Sequence, residues 1–190
     1  DINLAYLSGY KKLDDVQAIS ASLRYFSLGD IIFTSDYGEI NGQQSPNEFA
    51  VDFGYSRLLS ETFSGAVALR YIRSDLTGGQ MNYNKSLEPS VNNGYGVEVN
   101  INRFEAFMKN GFVFDRPNTS IGTIVNFAHH EQNGLFGLNR YNGKEVYASA
   151  NFIFQSFILN TNHTFKTGAS YLYNDFDEVF DSINYLRKES

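Results

Sequence analysis

Four charged residues, Arg24, Glu48, Asp52 and Arg70, fall at positions where extended chain would turn them toward a shared polar surface. Arginine against carboxylate there lines a polar pathway or fills an interior with ion pairs, and the second use is routine inside water-filled barrels. His129-His130-Glu131 invites a metal reading. Adjacent strand residues point to opposite faces, however, so the two imidazoles cannot chelate as an i, i+4 helical pair does. A solvated strand end or a receptor-loop contact is expected there, with no metal ion. The three histidines, His129, His130 and His163, have no serine or acid placed beside them by a recognisable motif. Without an organised nucleophile and base the chain is expected to be no enzyme and to carry no cofactor. Asp175, Asp177, Glu178 and Asp181 lack the glycine and spacing of a calcium loop, and read as a solvated acidic loop.

The elements that must position these groups are strands. Along Gln17 to Ser27, Ile19, Ala21, Leu23 and Tyr25 alternate with Ala18, Ser20, Ser22 and Arg24. A period of two over ~9 to 11 residues is the pattern of a strand that crosses a bilayer at a tilt. The same alternation is expected in Ile2 to Tyr10, Glu48 to Arg57, Phe63 to Ser74, Arg103 to Phe114, Thr119 to His129, Val146 to Ile158 and Thr164 to Asn174. Each has an apolar face, such as Phe49, Val51, Phe53 and Tyr55, or Val67, Leu69 and Tyr71.

The connections alternate in length. Short turns are expected at Lys11 to Asp15, Leu58 to Thr62, Asp115 to Asn118 and Leu159 to His163. Long polar segments are expected at Ile31 to Pro46, after a short extension over Ile31 to Phe33, and at Asp75 to Gly96, His130 to Glu145 and Asp175 onward. Outer-membrane barrels have this asymmetry, whereas a soluble sandwich has no reason for it. Tyr10, Tyr25, Phe26, Tyr71, Phe127, Tyr147, Tyr171 and Tyr173 near strand ends would supply the interfacial girdles. A mean hydropathy of −0.32 does not oppose a barrel, because only every second strand residue must be apolar. The net charge of −6, with no basic stripe, argues against nucleic acid as a partner. The absence of Cys removes any disulfide framework. The chain opens directly into a strand, and either a removed signal peptide or an interior piece of a longer protein is expected.

Residues 1–79, with LAYLSGYKKL, VQAISASLRYFSLGDI, NEFAVDFGYSRLLSETFSG and AVALRYIRSDL, resemble the PorV (LptO) outer-membrane proteins of type IX secretion. These are related to the long-chain fatty-acid transporters. The resemblance implies a barrel of about fourteen strands that associates with a translocon and hands on cargo protein. Residues 94–190, with GYGVEVNINRFEAFMKNGFVFDRP, SIGTIVNFAHHEQNGLFGLNRYNGKE and NFIFQSFILNTNHTFKTGASYLYNDFDE, resemble the barrel of a TonB-dependent receptor. That resemblance implies TonB as partner, uptake of a siderophore, cobalamin or similar ligand, and contact with ligand at Phe136, Arg140 and Tyr141.

The expectation is therefore an all-β, antiparallel outer-membrane β-barrel, or part of one, with about eight spanning strands. Residues 1–79 and 94–190 would be its two parts, joined by a loop or junction at 80–93. The chain would lie in outer-membrane lipid and serve type IX protein secretion. TonB-dependent uptake, or a composite without activity of its own, is the alternative.

Overall fold

The computed structural model describes residues 2–34, 40–76, 97–136, 139–159, 162–181 and 183–189. The alternating segments become strands β1 (Asn3–Lys12), β2 (Gln17–Ser27), β3 (Ile31–Thr34), β4 (Ile40–Gln44), β5 (Asn47–Leu58), β6 (Phe63–Asp75), β7 (Val97–Val113), β8 (Ser120–Phe136), β9 (Asn139–Phe157), β10 (Thr164–Phe180) and β11 (Ile183–Glu189). Nine of them pair as one antiparallel sheet in the order β1-β2-β5-β6-β7-β8-β9-β10-β11, and β3 with β4 forms a separate hairpin. The sheet runs unbroken from β6 to β7, with Asp75 opposite Asn100 at one end of the pairing and Phe63 opposite Phe112 at the other.

Residues directly opposite in an antiparallel pair share a face, so the register sorts the side chains. Leu7, Leu23, Val51, Tyr71 and Phe104 follow one another across five strands on the first face. Ser8, Ser22, Asp52, Arg70 and Glu105 do so on the second. In a soluble sandwich the apolar face would be buried against another sheet. Here the arrangement is inverted: Phe53, Val67, Leu69 and Tyr71 are 52%, 43%, 42% and 41% exposed. The buried hydrophobic residues among those described, Ala50, Val99 and Ala128, lie on the polar face. An outward apolar surface of this extent is stable against hydrocarbon and not against water.

The apolar band also reports the strand tilt. The row through Leu7, near the middle of the band on β1, arrives on β10 at Asp175. The band on β10 is centred on Ala169, six positions lower. A drift of about 20 Å over seven interstrand steps of about 4.8 Å inclines the strands by roughly 30° to the bilayer normal, near the range of membrane barrels.

Tight turns close one end. In the first of them the Asp14 carboxylate accepts the Val16 N–H at 2.9 Å and the Gln17 side-chain amide at 2.6 Å. The bond from Val16 contributes most to holding its carboxyl below the usual carboxylate range. Asn118, in the turn after β7, takes φ 51°, which asparagine tolerates better than most residues.

The opposite end differs from expectation. The segment 31–46 contains the β3–β4 hairpin, whose first strand takes in the short extension expected over Ile31 to Phe33, with 35–39 outside the described residues, as is 77–96 of the expected loop at 75–96. The expected loop at 130–145 is strand: β8 continues to Phe136 and β9 starts at Asn139. The expected loop from 175 onward is also strand, continuing β10 to Phe180 and adding β11. Above the apolar band both faces meet water, so the hydrophobic alternation stops while the backbone ladder continues. Three of the expected girdle aromatics, Tyr10, Phe26 and Tyr147, lie on the polar face by register, whereas Tyr25, Tyr71, Phe127, Tyr171 and Tyr173 lie on the apolar one.

The face assignment has a measurable consequence. Val67→Arg, near the middle of the apolar band, is expected to destabilise the protein in vesicles by about 2–4 kcal/mol, and Ala68→Lys on the polar face by clearly less. Guanidinium unfolding from lipid vesicles reads both, and equal costs would refute the assignment.

Candidate functional site

The polar face is not flat. A cavity of about 550 Å3 opens on it, lined by Asp52, Arg70, Arg103, Glu105, Asn126 and Tyr147 among others. Strands β2, β5, β6 and β7 each contribute to one row of charge because their register sets Ser22, Asp52, Arg70 and Glu105 side by side. Ser22 Oγ donates to Asp52 Oδ2 at 2.6 Å. Arg70 Nε donates to Asp52 Oδ1, and its Nη2 donates to Oδ2 at 3.3 Å, so the guanidinium grips both carboxylate oxygens. On its other side Arg70 Nη1 lies 3.8 Å from Glu105 Oε2, and Arg103 Nε donates to Glu105 Oε1 at 2.7 Å. The side chains of Arg70 and Asp52 remain 44% and 28% exposed, so water screens the row and each pair contributes modestly.

Of the four charged residues singled out from the sequence, the structure brings Asp52 and Arg70 into direct contact. Arg24 shares their face, its guanidinium 5.9 Å from the Tyr6 ring centroid. Glu48 also shares the face but lies opposite Phe26 and Ser74, apart from the row. Ser22, Arg103 and Glu105 complete it. The alternation within β7 places Glu105 on the polar side, but its position beside Arg70 depends on interstrand register, which one sequence does not display.

Phe136, Arg140 and Tyr141 lie in strands β8 and β9, above the apolar band and not in a loop. Phe136 and Tyr141 share the inner face, and Arg140 is on the outer one. The two rings cover glycines. A Cβ on Gly134 would come within 2.8 Å of the Phe136 ring, and one on Gly143 within 2.7 Å of the Tyr141 hydroxyl. Burial pushes the Tyr141 phenol up, with Glu178 adding to the effect. Seated in this way, both aromatics hold the β8–β9 hairpin as well as offering a surface.

The other groups are dispersed. His129 faces outward, 3.9 Å from Glu131, whose carboxylate also lies 3.5 Å from Lys144 Nζ. His130 faces inward opposite Arg103 and Glu145, with its Nδ1 buried and unbonded. Asp175 and Asp177 lie on the outer face of β10 and Glu178 on the inner one, with Asp181 in the turn that follows, so most of the acidic cluster is split between two sides of a strand. Among the described residues no group of three or more His, Asp or Glu side chains could hold a metal ion. The arrangement can hold, orient and screen charge within a lined cavity.

A model of the family described as type IX secretion system protein PorV matches residues 1–156. The match takes in the stretch 1–79 that carries this resemblance, and continues through β7 and β8 into β9. It gives no support to the resemblance of residues 94–190 to a TonB-dependent receptor, since it takes in β7, β8 and all but the last residue of β9. No curated protein matches the chain.

The Asp52–Arg70 contact can be weighed by a double-mutant cycle with Asp52→Asn and Arg70→Met. A coupling of about 0.5–1 kcal/mol is expected at low salt, shrinking as ionic strength rises. Unfolding from vesicles measures it, and a coupling of zero at low salt would show the row to be unlinked.

Proposed function

The chain belongs to the family of type IX secretion system protein PorV, and from that premise we propose that it acts by binding, presenting the end opposite its tight turns to the secretion translocon or its cargo. It is an outer-membrane component of type IX secretion, a system in which it works with other secretion proteins. The observation that carries the finer reading is the extension of β8, β9 and β10 beyond the apolar band, which raises a rigid sheet above the membrane. Its inner face carries Phe136 and Tyr141 and its outer face Arg140, so an approaching polypeptide meets aromatic and charged groups on ordered strands rather than on loose loops. The row from Ser22 to Arg103 is proposed to keep the inner face polar and hydrated beneath that surface. Arg24 and Glu48 extend the same lining.

Glu131 and Lys144 are directly paired, as are His130 and Glu145 below them, so the hairpin can be shortened without changing register. Replacing residues 131–144 by Asn-Gly is expected to leave the protein in the outer membrane while weakening capture of translocon or cargo by about tenfold or more, the loss of a single strong contact. Co-purification and surface display of cargo read the effect in a strain lacking the native copy. Undiminished capture and display by the shortened protein would refute the reading.

A further inference from the structure

The lipid-facing surface is not uniform. On the apolar face of β1, β2 and β5 the structure contains a groove of about 650 Å3. Its floor is Gly9 opposite Ala21, and its walls include Leu7, Leu23, Val51 and Phe53. The space over Gly9 is open, since a Cβ built there would meet nothing within 4 Å. The groove is continuous with the apolar band, so hydrocarbon is the medium that reaches it.

Charge at one end of the groove distinguishes it from the rest of the band. Among the described strand residues on the outer face at the short-turn end, Lys11 and Arg57 are the charged ones. They lie on β1 and β5, each just beyond the apolar run of its strand, two interstrand steps and two residues of register apart, about 12 Å. Asp14 of the neighbouring turn feels the charge of Arg57, but the oxygens of both turn acids are held by nearer partners. Asp15 pairs with Lys12 at 2.7 Å, and Asp14 accepts from Val16 and Gln17.

We propose that the Gly9–Ala21 groove is a binding site for an anionic phospholipid, with an acyl chain on the glycine floor and the headgroup phosphate between Lys11 and Arg57. Apolar burial supplies contact with the chain, and the two cations favour a net negative headgroup over a zwitterionic one. Attraction of this kind corresponds to about a fivefold preference for each cation near the surface. The site is independent of secretion partners, so it stands or falls apart from the binding role proposed above.

The chain contains no Trp, which allows a direct optical test. Leu23→Trp places one tryptophan in the groove wall, and Val125→Trp places one on the same face three strands beyond β5. Each full-length variant is folded into phosphatidylcholine vesicles containing brominated phosphatidylglycerol, then into the reverse mixture. At position 23 the anionic lipid is expected to outcompete the zwitterionic one by about fivefold or more, and at position 125 the ratio should be near one. Lys11→Gln with Arg57→Gln should bring position 23 to the ratio at position 125, and Gly9→Leu should reduce the preference with both cations intact. The exposed pair of glutamine substitutions keeps the test decisive should the glycine variant fail to fold. Equal ratios at the two positions, or a preference that survives loss of both cations or filling of the floor, would overturn the site. Weak quenching by both lipids at position 23, deepening with protein density, would show a second copy in the groove and would overturn it equally.

Discussion

In hydrocarbon a backbone N–H or C=O without a partner costs several kcal/mol, and no water is present to substitute. That constraint governs this chain. It selects long antiparallel ladders, it turns the side chains of each strand alternately to lipid and to an aqueous interior, and it leaves the buried Ala50 on the polar face. Where the constraint ends, the pattern changes. Above Phe127 on β8 and Val146 on β9, polar side chains occupy both faces, while the same ladder continues to Phe136 and Asn139.

Charge is confined by the same rule. Within the band an ionic group is tolerated on the inner face, where water and a counter-charge are at hand, and Asp52, Arg70, Glu105 and Arg103 satisfy one another there. The row has a structural effect beyond its small energy. A one-residue slip of β6 against β5 would carry Arg70 out to lipid and a hydrophobic neighbour in to water, so the contacts that bind charge also favour one register. The cavity beneath the extramembrane sheet is thus polar by exclusion of charge from the other side, and its lining holds four strands in phase.

This also explains what was legible in the sequence. The period of two in Gln17–Ser27 and Phe63–Ser74 marks strands because one face must be apolar, and the inward side of Asp52 and Arg70 follows from phase alone. The contact between them does not, since pairing two strands requires a register that one sequence leaves open. The strand continuations at 130–136, 139–145 and 175–180 were illegible for a different reason. With water on both faces, hydropathy carries no period, and the Gly and Asn content of this stretch imitates a loop. The resemblance of residues 94–190 to a receptor barrel has a similar origin: outward aromatics and inward small polar residues are what any strand in this setting needs, so that portion of the pattern distinguishes barrels poorly.

The open edges fall under the same constraint. Along nine antiparallel strands the first and last run the same way, so β1 and β11 both run toward the short-turn end. Among the described residues no pairing joins them. Bringing the two edges together would make a parallel pair, and a second copy inserted with the same polarity would meet each edge with a strand of the same direction. Closure by antiparallel pairing alone therefore requires an odd number of strands between β11 and β1. The exposed ladder groups of β1 make that condition energetic as well as topological, because each one left facing lipid carries the full cost of an unpaired backbone group.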